Sequence, residues 1–354
     1  MKKRIDEVNI LRAIACLAVV MVHISAIPVS TLQSDSIHMK IFSLLNRSVK
    51  FTTPTFIFLS GLTLFYSYKD KRLHYFSFLK KRLSITLIPY FVWTLIYYKY
   101  FIHEGYYVFS WSFLIENILL ADMSYHLYFI LTILQFYLLF GVFLYAFKKF
   151  PSHFVLGTLF VISLLTIKYV RFPYMDRFFA RHVFFFGLGC YAAMNIDMLR
   201  EKLLKYQYLI TAGYIGISSY YGYQFYQYYG LGKPIKSFTI ELTWTIFCFI
   251  AIMFYYVVAY HIANKQNSIL NKTLKKVAKA SYYVYLSHPL GIFLSEKFLT
   301  NAGMLSITRR FLLNVIIVYG TVVPLAILYT SLKGNLTQNY KSRKLKKTTL
   351  QADL

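Results

Sequence analysis

NILRAIACLAVVMVHIS, residues 9–25, is an apolar run broken by one cation and one imidazole, Arg12 and His23. Its neighbours extend it over about 9–29, long enough at 1.5 Å per residue to cross a ~30 Å hydrocarbon layer. The basic MKKR ahead of it resembles a secretory signal. However, the run exceeds the ~7–15 residues of a signal core and contains Arg12 and His23, so it reads as an uncleaved first span. Titratable side chains at membrane depth are costly, and those retained there are functional suspects. Arg12 and His23 stand eleven residues apart, about three helical turns, so they share one face about 16 Å apart along the axis. That face presents a cation near the cytosol and a proton acceptor past mid-membrane, the layout a pathway from donor to acceptor needs. The plainer alternative has Arg12 snorkelling to lipid phosphate and His23 hydrogen-bonding a neighbouring helix.

The rest of the chain repeats this character. Of 354 residues, 58% are hydrophobic, 20% aromatic and 15% charged, against about 45–50% apolar and about 25% charged in a soluble domain. So much apolar surface needs lipid to cover it. Further apolar runs lie at about 51–68, 83–102, 127–147, 153–169, 182–195, 207–223, 238–260, 281–299 and 311–331. The sequence therefore predicts an all-α, polytopic integral membrane protein of the cell membrane with about ten transmembrane helices. No internal repeat or Pro- or Ser-rich linker interrupts it. A single domain is expected over residues 1–332, followed by a basic cytoplasmic tail over 333–354.

The net charge of +26 suggests nucleic acid at first sight, but the cations sit in short clusters between apolar runs rather than along one face. That is a topology signal, and no nucleic-acid partner is expected. With the N-terminus inside, the cytoplasmic segments hold 25 Lys and Arg and the opposite ones 11, which places both termini in the cytoplasm. The segment from Lys168 to Arg181 opposes this bias. Either its Lys168, Arg171, Arg177 and Arg181 have a task at the outer face, or the fifth and sixth spans are misplaced. Cys16, Cys190 and Cys248 each lie inside an apolar run without a CxxC partner. They read as packing residues, and no metal site is expected.

Other titratable residues fall near span ends. His288 lies in SYYVYLSHPL, where Pro289 kinks the helix and frees backbone carbonyls. His126 opens the fourth span in SYHLYFILTILQFYLLF. The stretch before it, WSFLIENILLAD, is too short and too polar to span and is expected to lie in the interface or re-enter. Glu241, Glu296 and Lys297 mark interfaces. The loop over 69–82 carries Lys69, Lys71, Arg72, Lys80, Lys81 and Arg82. Such a cluster serves the positive-inside rule and anionic lipid, or docks a polyanionic cytosolic donor.

The first span, with Arg12 and His23 separated by ten residues, resembles the R-x10-H signature of the acyltransferase-3 family. Four further segments agree in order. TPTFIFLSGLTLF is similar to that family's second span, with Pro54, Ser60 and Gly61 in place. FLKKRLSITLIPYFVW resembles its basic entry to span three, with Arg82 and Pro89. HLYFILTILQFYLL resembles its HxWF element, carried by His126, and SYYVYLSHPL its YLxHP element, carried by His288. There are departures: Thr86 stands where many members have a second Arg, Asn9 where an acidic residue is usual (Glu7 lies nearby), and Tyr128 where Trp is usual. The compact form is similar to the Gram-positive branch that includes the poly-N-acetylglucosamine O-succinyltransferases.

The resemblance implies a membrane-bound O-acyltransferase that takes an acyl group from cytoplasmic acyl-CoA, acetyl-CoA or succinyl-CoA, to a hydroxyl of a cell-envelope glycan. It implies His23 and Arg12 as catalytic residues. Arg82, with Lys81 and Lys80, would bind the CoA phosphates, and His126 and His288 would line the acceptor side. No bound cofactor is expected beyond this co-substrate. A glycan exporter or flippase is the main alternative, since the 34 Tyr and 33 Phe would suit sugar stacking, and CoA binding discriminates the two. An ion-coupled transporter would call for intramembrane carboxylates and repeat symmetry. A membrane acyltransferase of the MBOAT type would not need Arg12 and His23 in span one.

Overall fold

The computed structural model of the protein describes residues 5–34, 36–265 and 267–352. Thirteen α-helices follow in order: α1 Asp6–Thr31, α2 Ile37–Ser48, α3 Thr52–Tyr68, α4 Tyr75–His103, α5 Trp111–Leu120, α6 Tyr128–Lys149, α7 Ser152–Tyr169, α8 Phe179–Met194, α9 Ile196–Lys205, α10 Gln207–Phe225, α11 Ser237–Asn264, α12 Ile269–Asn301 and α13 Ile307–Ala352. Each of the ten apolar runs falls on one of these helices. By length and composition α1, α4, α6, α7, α11 and the Ile307–Leu336 part of α13 suffice to cross a membrane. A seventh is added if Met175–Met194 and Ile196–Lys205, bent by 101°, form one span. The other three helices depart for visible reasons: α3 has 17 residues, α10 is rich in Tyr, and α12 opens with four lysines. The basic residues before Ile5 lie outside the described residues.

Helix α1 is the axis of the bundle, packed against α2, α3, α11, α12 and α13. Ile10, Leu11, Ala13, Ala15, Cys16 and Val20 on it are fully buried. Small residues set the closest packing elsewhere. A Cβ at Gly61 on α3 would fall well inside contact with the Phe186 carbonyl oxygen of α8, and one at Gly189 would do the same at the Phe58 carbonyl. The two glycines thus let two backbones touch, as small residues do between membrane helices.

A short helix, α2, precedes the second apolar run. α2 begins at Ser36, whose hydroxyl accepts from the Met39 amide, and runs back along α1. Near its end Asn46 Nδ2 donates to the Val22 carbonyl (2.8 Å) and the Ser25 hydroxyl (2.9 Å). The chain loses helical form over residues 49–51 and resumes as α3. The stretch expected at the interface forms α5, a ten-residue apolar helix strapped to α4 by Tyr90, whose hydroxyl donates to the Ile118 carbonyl at 2.6 Å.

Ion pairs fasten the helix ends. Arg177 binds Asp122 at 2.5 Å and the Leu120 carbonyl, and Arg181 binds Glu241 at 2.5 Å. Of the arginines that oppose the charge bias, Arg177 and Arg181 tie the segments around α5, α8 and α11 together, while Arg171 donates to the Ile167 and Val170 carbonyls of its own turn. Arg310 pairs with Glu296. Lys297 donates to Glu104, which holds that carboxyl below its usual range. At the other end Glu7, buried, accepts from Arg200 at 2.5 Å and from the Tyr256 hydroxyl at 2.9 Å. Glu7 thus joins α1, α9 and α11. Glu7→Ala is expected to lower stability by about 2 kcal/mol in a thermal melt. That is less than the ~3–5 kcal/mol of a fully buried pair, because Arg200 keeps 25% of its side chain exposed.

Candidate active site

Two linked regions lie along the face of α1 that carries Arg12 and His23. The first is a cavity of about 390 Å³. Arg12 enters it from α1, Arg82 from α4, and Lys279, Tyr282 and Tyr285 from α12, with Ser60 and Thr63 on the α3 wall. Thr86, on α4 one turn beyond Arg82, is buried in the lining, and its carbonyl accepts from the Tyr282 hydroxyl at 2.6 Å. Arg82 comes seven residues after the start of α4, two turns into the helix, so it reaches this depth. Lys80 and Lys81 are exposed and lie outside the cavity lining. Clustered guanidinium and ammonium groups of this kind bind phosphate oxygens by charge-assisted hydrogen bonds.

The second region is a cluster of rings. The His23 ring packs at a tilt against those of Tyr125 (centroids 4.7 Å apart) and His288 (5.1 Å). His288 in turn lies 5.3 Å from His126, so α1, α6's entry and α12 meet at three imidazoles. Tyr97 and Tyr285 flank His126 at 5.5 Å and 5.2 Å, and the Tyr285 hydroxyl donates to the His126 carbonyl. Tyr285 also lines the inner cavity, so its ring forms the wall between the two regions.

Pro289 explains how this cluster is held. Proline has no N–H, so the Tyr285 carbonyl four residues earlier loses its helical partner. His288 Nδ1 takes that place, 2.8 Å from the Tyr285 carbonyl and 3.1 Å from that of Val284. A carbonyl only accepts, so Nδ1 carries the proton and Nε2 is left with its lone pair. His288 Nε2 is buried without a partner among the described residues, as is His126 Nε2. One turn on, the Tyr97 hydroxyl donates to the Leu286 carbonyl (2.8 Å) and accepts from the Leu290 amide (3.2 Å). A side chain from α4 is thereby inserted into the kink of α12.

Arg12 and Arg82 therefore meet at the inner cavity, and His23, His126 and His288 at the ring cluster, with Tyr285 common to both, while Lys80 and Lys81 stay at the surface. Sequence reading missed Lys279, Tyr97, Tyr125 and Tyr285. Lys279 stood two residues before SYYVYLSHPL, and Tyr125 stood beside His126. Among the described residues, no group of three His, Cys, Asp or Glu is placed to hold a metal ion.

Comparison with known proteins bears on this arrangement. A family model described as an acyltransferase domain matches residues 5–331. A Staphylococcus aureus (strain Mu50) protein named "Probable poly-beta-1,6-N-acetyl-D-glucosamine export protein" is 25% identical over 320 residues, covering 82% of this chain and 83% of its own. A Bacillus subtilis (strain 168) protein named "Putative membrane-bound acyltransferase YfiQ" is 28% identical over 226 residues, covering 58% of this chain and 61% of its own. No solved structure matches.

Proposed function

The chain belongs to the acyltransferase-3 family of multi-pass membrane proteins, and from that premise we propose that it is an O-acyltransferase moving an acyl group from cytoplasmic acyl-CoA to a hydroxyl of a cell-envelope glycan. The observation that supports this reading most is that Arg12 and Arg82 meet in one cavity whose Tyr285 also packs against the cluster of three histidines. In this reading both termini lie in the cytoplasm, as the charge bias suggests, and the cavity is then on the donor side.

In this reading Arg12, Arg82 and Lys279 hold the CoA phosphates, and Lys80 and Lys81 draw the polyanion in from the surface. The pantetheine arm carries the thioester past Tyr285 toward His23. A neutral His23 takes the proton of the acceptor hydroxyl while the oxygen attacks the acyl carbon. The new ester bond forms as the C–S bond breaks, and the proton leaves with the CoA thiolate. His126 orients the acceptor, and His288 supports the wall beside both.

The test is thioester cleavage by purified protein in nanodiscs, with acetyl-CoA and succinyl-CoA offered and free CoA measured with and without cell-wall glycan. Arg12→Gln and Arg82→Gln are each expected to raise the KM for acyl-CoA about tenfold to hundredfold, the worth of one or two hydrogen bonds to a charged group. The name of the staphylococcal relative favours a second reading, glycan export without acyl transfer. Folded protein that neither binds nor cleaves either thioester would establish that reading over ours.

A further inference from the structure

Two cations beyond the histidine cluster are left unused by this chemistry. The break between α2 and α3 holds Lys50, four residues after Asn46, which binds the Val22 carbonyl beside His23. Irregular backbone at membrane depth is tolerated where protein encloses it or where it lines a cavity. Here α11 supports it: Trp244 Nε1 (3.3 Å) and Cys248 Sγ (3.9 Å) both donate to the Lys50 carbonyl. The Lys50 side chain is half-buried and within electrostatic reach of both His23 and Arg47. The Arg47 guanidinium lies 3.4 Å from the centroid of the Phe225 ring, and its Nη1 is 3.5 Å from the Tyr221 hydroxyl. Its Nε is buried with no partner among the described residues.

Neither cation has a carboxylate partner among the described residues. They share this with Arg12, Arg82 and Lys279 of the inner cavity, whereas Arg177, Arg181, Arg200, Lys275, Lys297 and Arg310 are all ion-paired. Glu241, which acts on Tyr221 and Cys248 nearby, is itself taken by Arg181 at 2.5 Å. Two adjacent like charges in a low-dielectric setting repel unless a counter-ion joins them. The same break is also the N-terminus of α3, a 17-residue helix whose dipole favours an anion there.

We infer that Arg47 and Lys50 form an anion subsite beside His23, filled by a carboxylate or phosphate carried by one of the two reacting groups. That group is either the acyl chain, as the free carboxylate of a dicarboxylic half-thioester, or the acceptor. Which group reacts rests on the acyl-transfer reading; the binding of the anion does not.

The test uses the full-length protein in nanodiscs. Its melting temperature is followed against succinate and against inorganic phosphate, with ionic strength held constant by chloride. The wild type is expected to show a saturable rise with at least one of them. Lys50→Met and Arg47→Gln lose the rise, and Lys50→Arg, which restores the charge, keeps it. A flat wild-type curve, or variants that respond as the wild type does, overturns the subsite. This readout involves no chemistry, so it stands or falls apart from thioester cleavage. Donor preference then locates the source. A wild-type preference for succinyl-CoA over acetyl-CoA that falls about tenfold or more in Lys50→Met, the worth of one hydrogen bond to a charged group, assigns the anion to the acyl chain. Equal use of the two donors by a wild type that shows the saturable rise assigns it to the acceptor.

Discussion

His23→Ala is expected to reduce acyl transfer about 10²–10⁴-fold, the usual contribution of a positioned general base, with little change in melting temperature. His23 is half-buried, makes ring contacts with Tyr125 and His288, and has no hydrogen-bond partner among the described residues. Its removal therefore strands no donor or acceptor in the core, and the fold tolerates the loss. The measurement is acyl-CoA thioester cleavage in the presence of glycan, with size-exclusion profile and melting curve as controls for folding. Full activity in a folded His23→Ala protein would remove the base role from this residue. An intermediate outcome is also informative: acceptor-free hydrolysis that survives while transfer to glycan is lost would confine His23 to deprotonating the acceptor.

The second large effect is on folding. Gly61→Val and Gly189→Val are each expected to abolish accumulation of folded protein, measured as the monodisperse fraction after extraction in detergent. Each added side chain would drive into backbone of the facing helix, at Phe186 or at Phe58 and Leu62. Backbone cannot swing aside as a side chain can, so α3 and α8 must separate. The cost exceeds the ~1–3 kcal/mol of ordinary overpacking. Gly216→Ala supplies the contrast. Nothing lies within 4 Å of its Cβ position, and it is expected to be neutral or slightly stabilising, since alanine is favoured over glycine in a helix by about 1 kcal/mol. If both valine variants yield folded protein at wild-type levels, the close approach of α3 and α8 is not what holds this pair.

Much of this was legible in the sequence for physical reasons. The ten apolar runs announced their helices because a span must satisfy its whole backbone internally and keep charge out of lipid. Arg12 and His23 were legible because a cation and an imidazole in an otherwise apolar run have few structural excuses. His126 and His288 were visible as residues, but their meeting at 5.3 Å was not, because helices far apart in the chain are brought together only by packing. α2 went unseen: with His38, Lys40, Asn46 and Arg47 it is too polar to read as a span, and its stability comes from Asn46 gripping α1. Lys279 was hidden among the lysines of a cytoplasmic entry, where the positive-inside rule explains every cation equally well. Lys80 and Lys81 were conspicuous for the opposite reason, since a dense basic cluster draws attention whether or not its members face the cavity.

Tyr285, the wall between the inner cavity and the histidines, has an electrical consequence. If, as we propose, the cavity faces the cytoplasm and the acceptor reaches His23 from outside, water up to Tyr285 carries the cytoplasmic potential and the acceptor side the external one. The membrane voltage then falls across the thickness of about one aromatic side chain instead of the whole bilayer. A neutral acetyl group crosses that gap without electrical work. An acyl chain bearing a free carboxylate moves a full negative charge outward through it, favoured by about 2.3 kcal/mol per 100 mV in an energised cell. For such a donor the resting potential itself would make transfer directional.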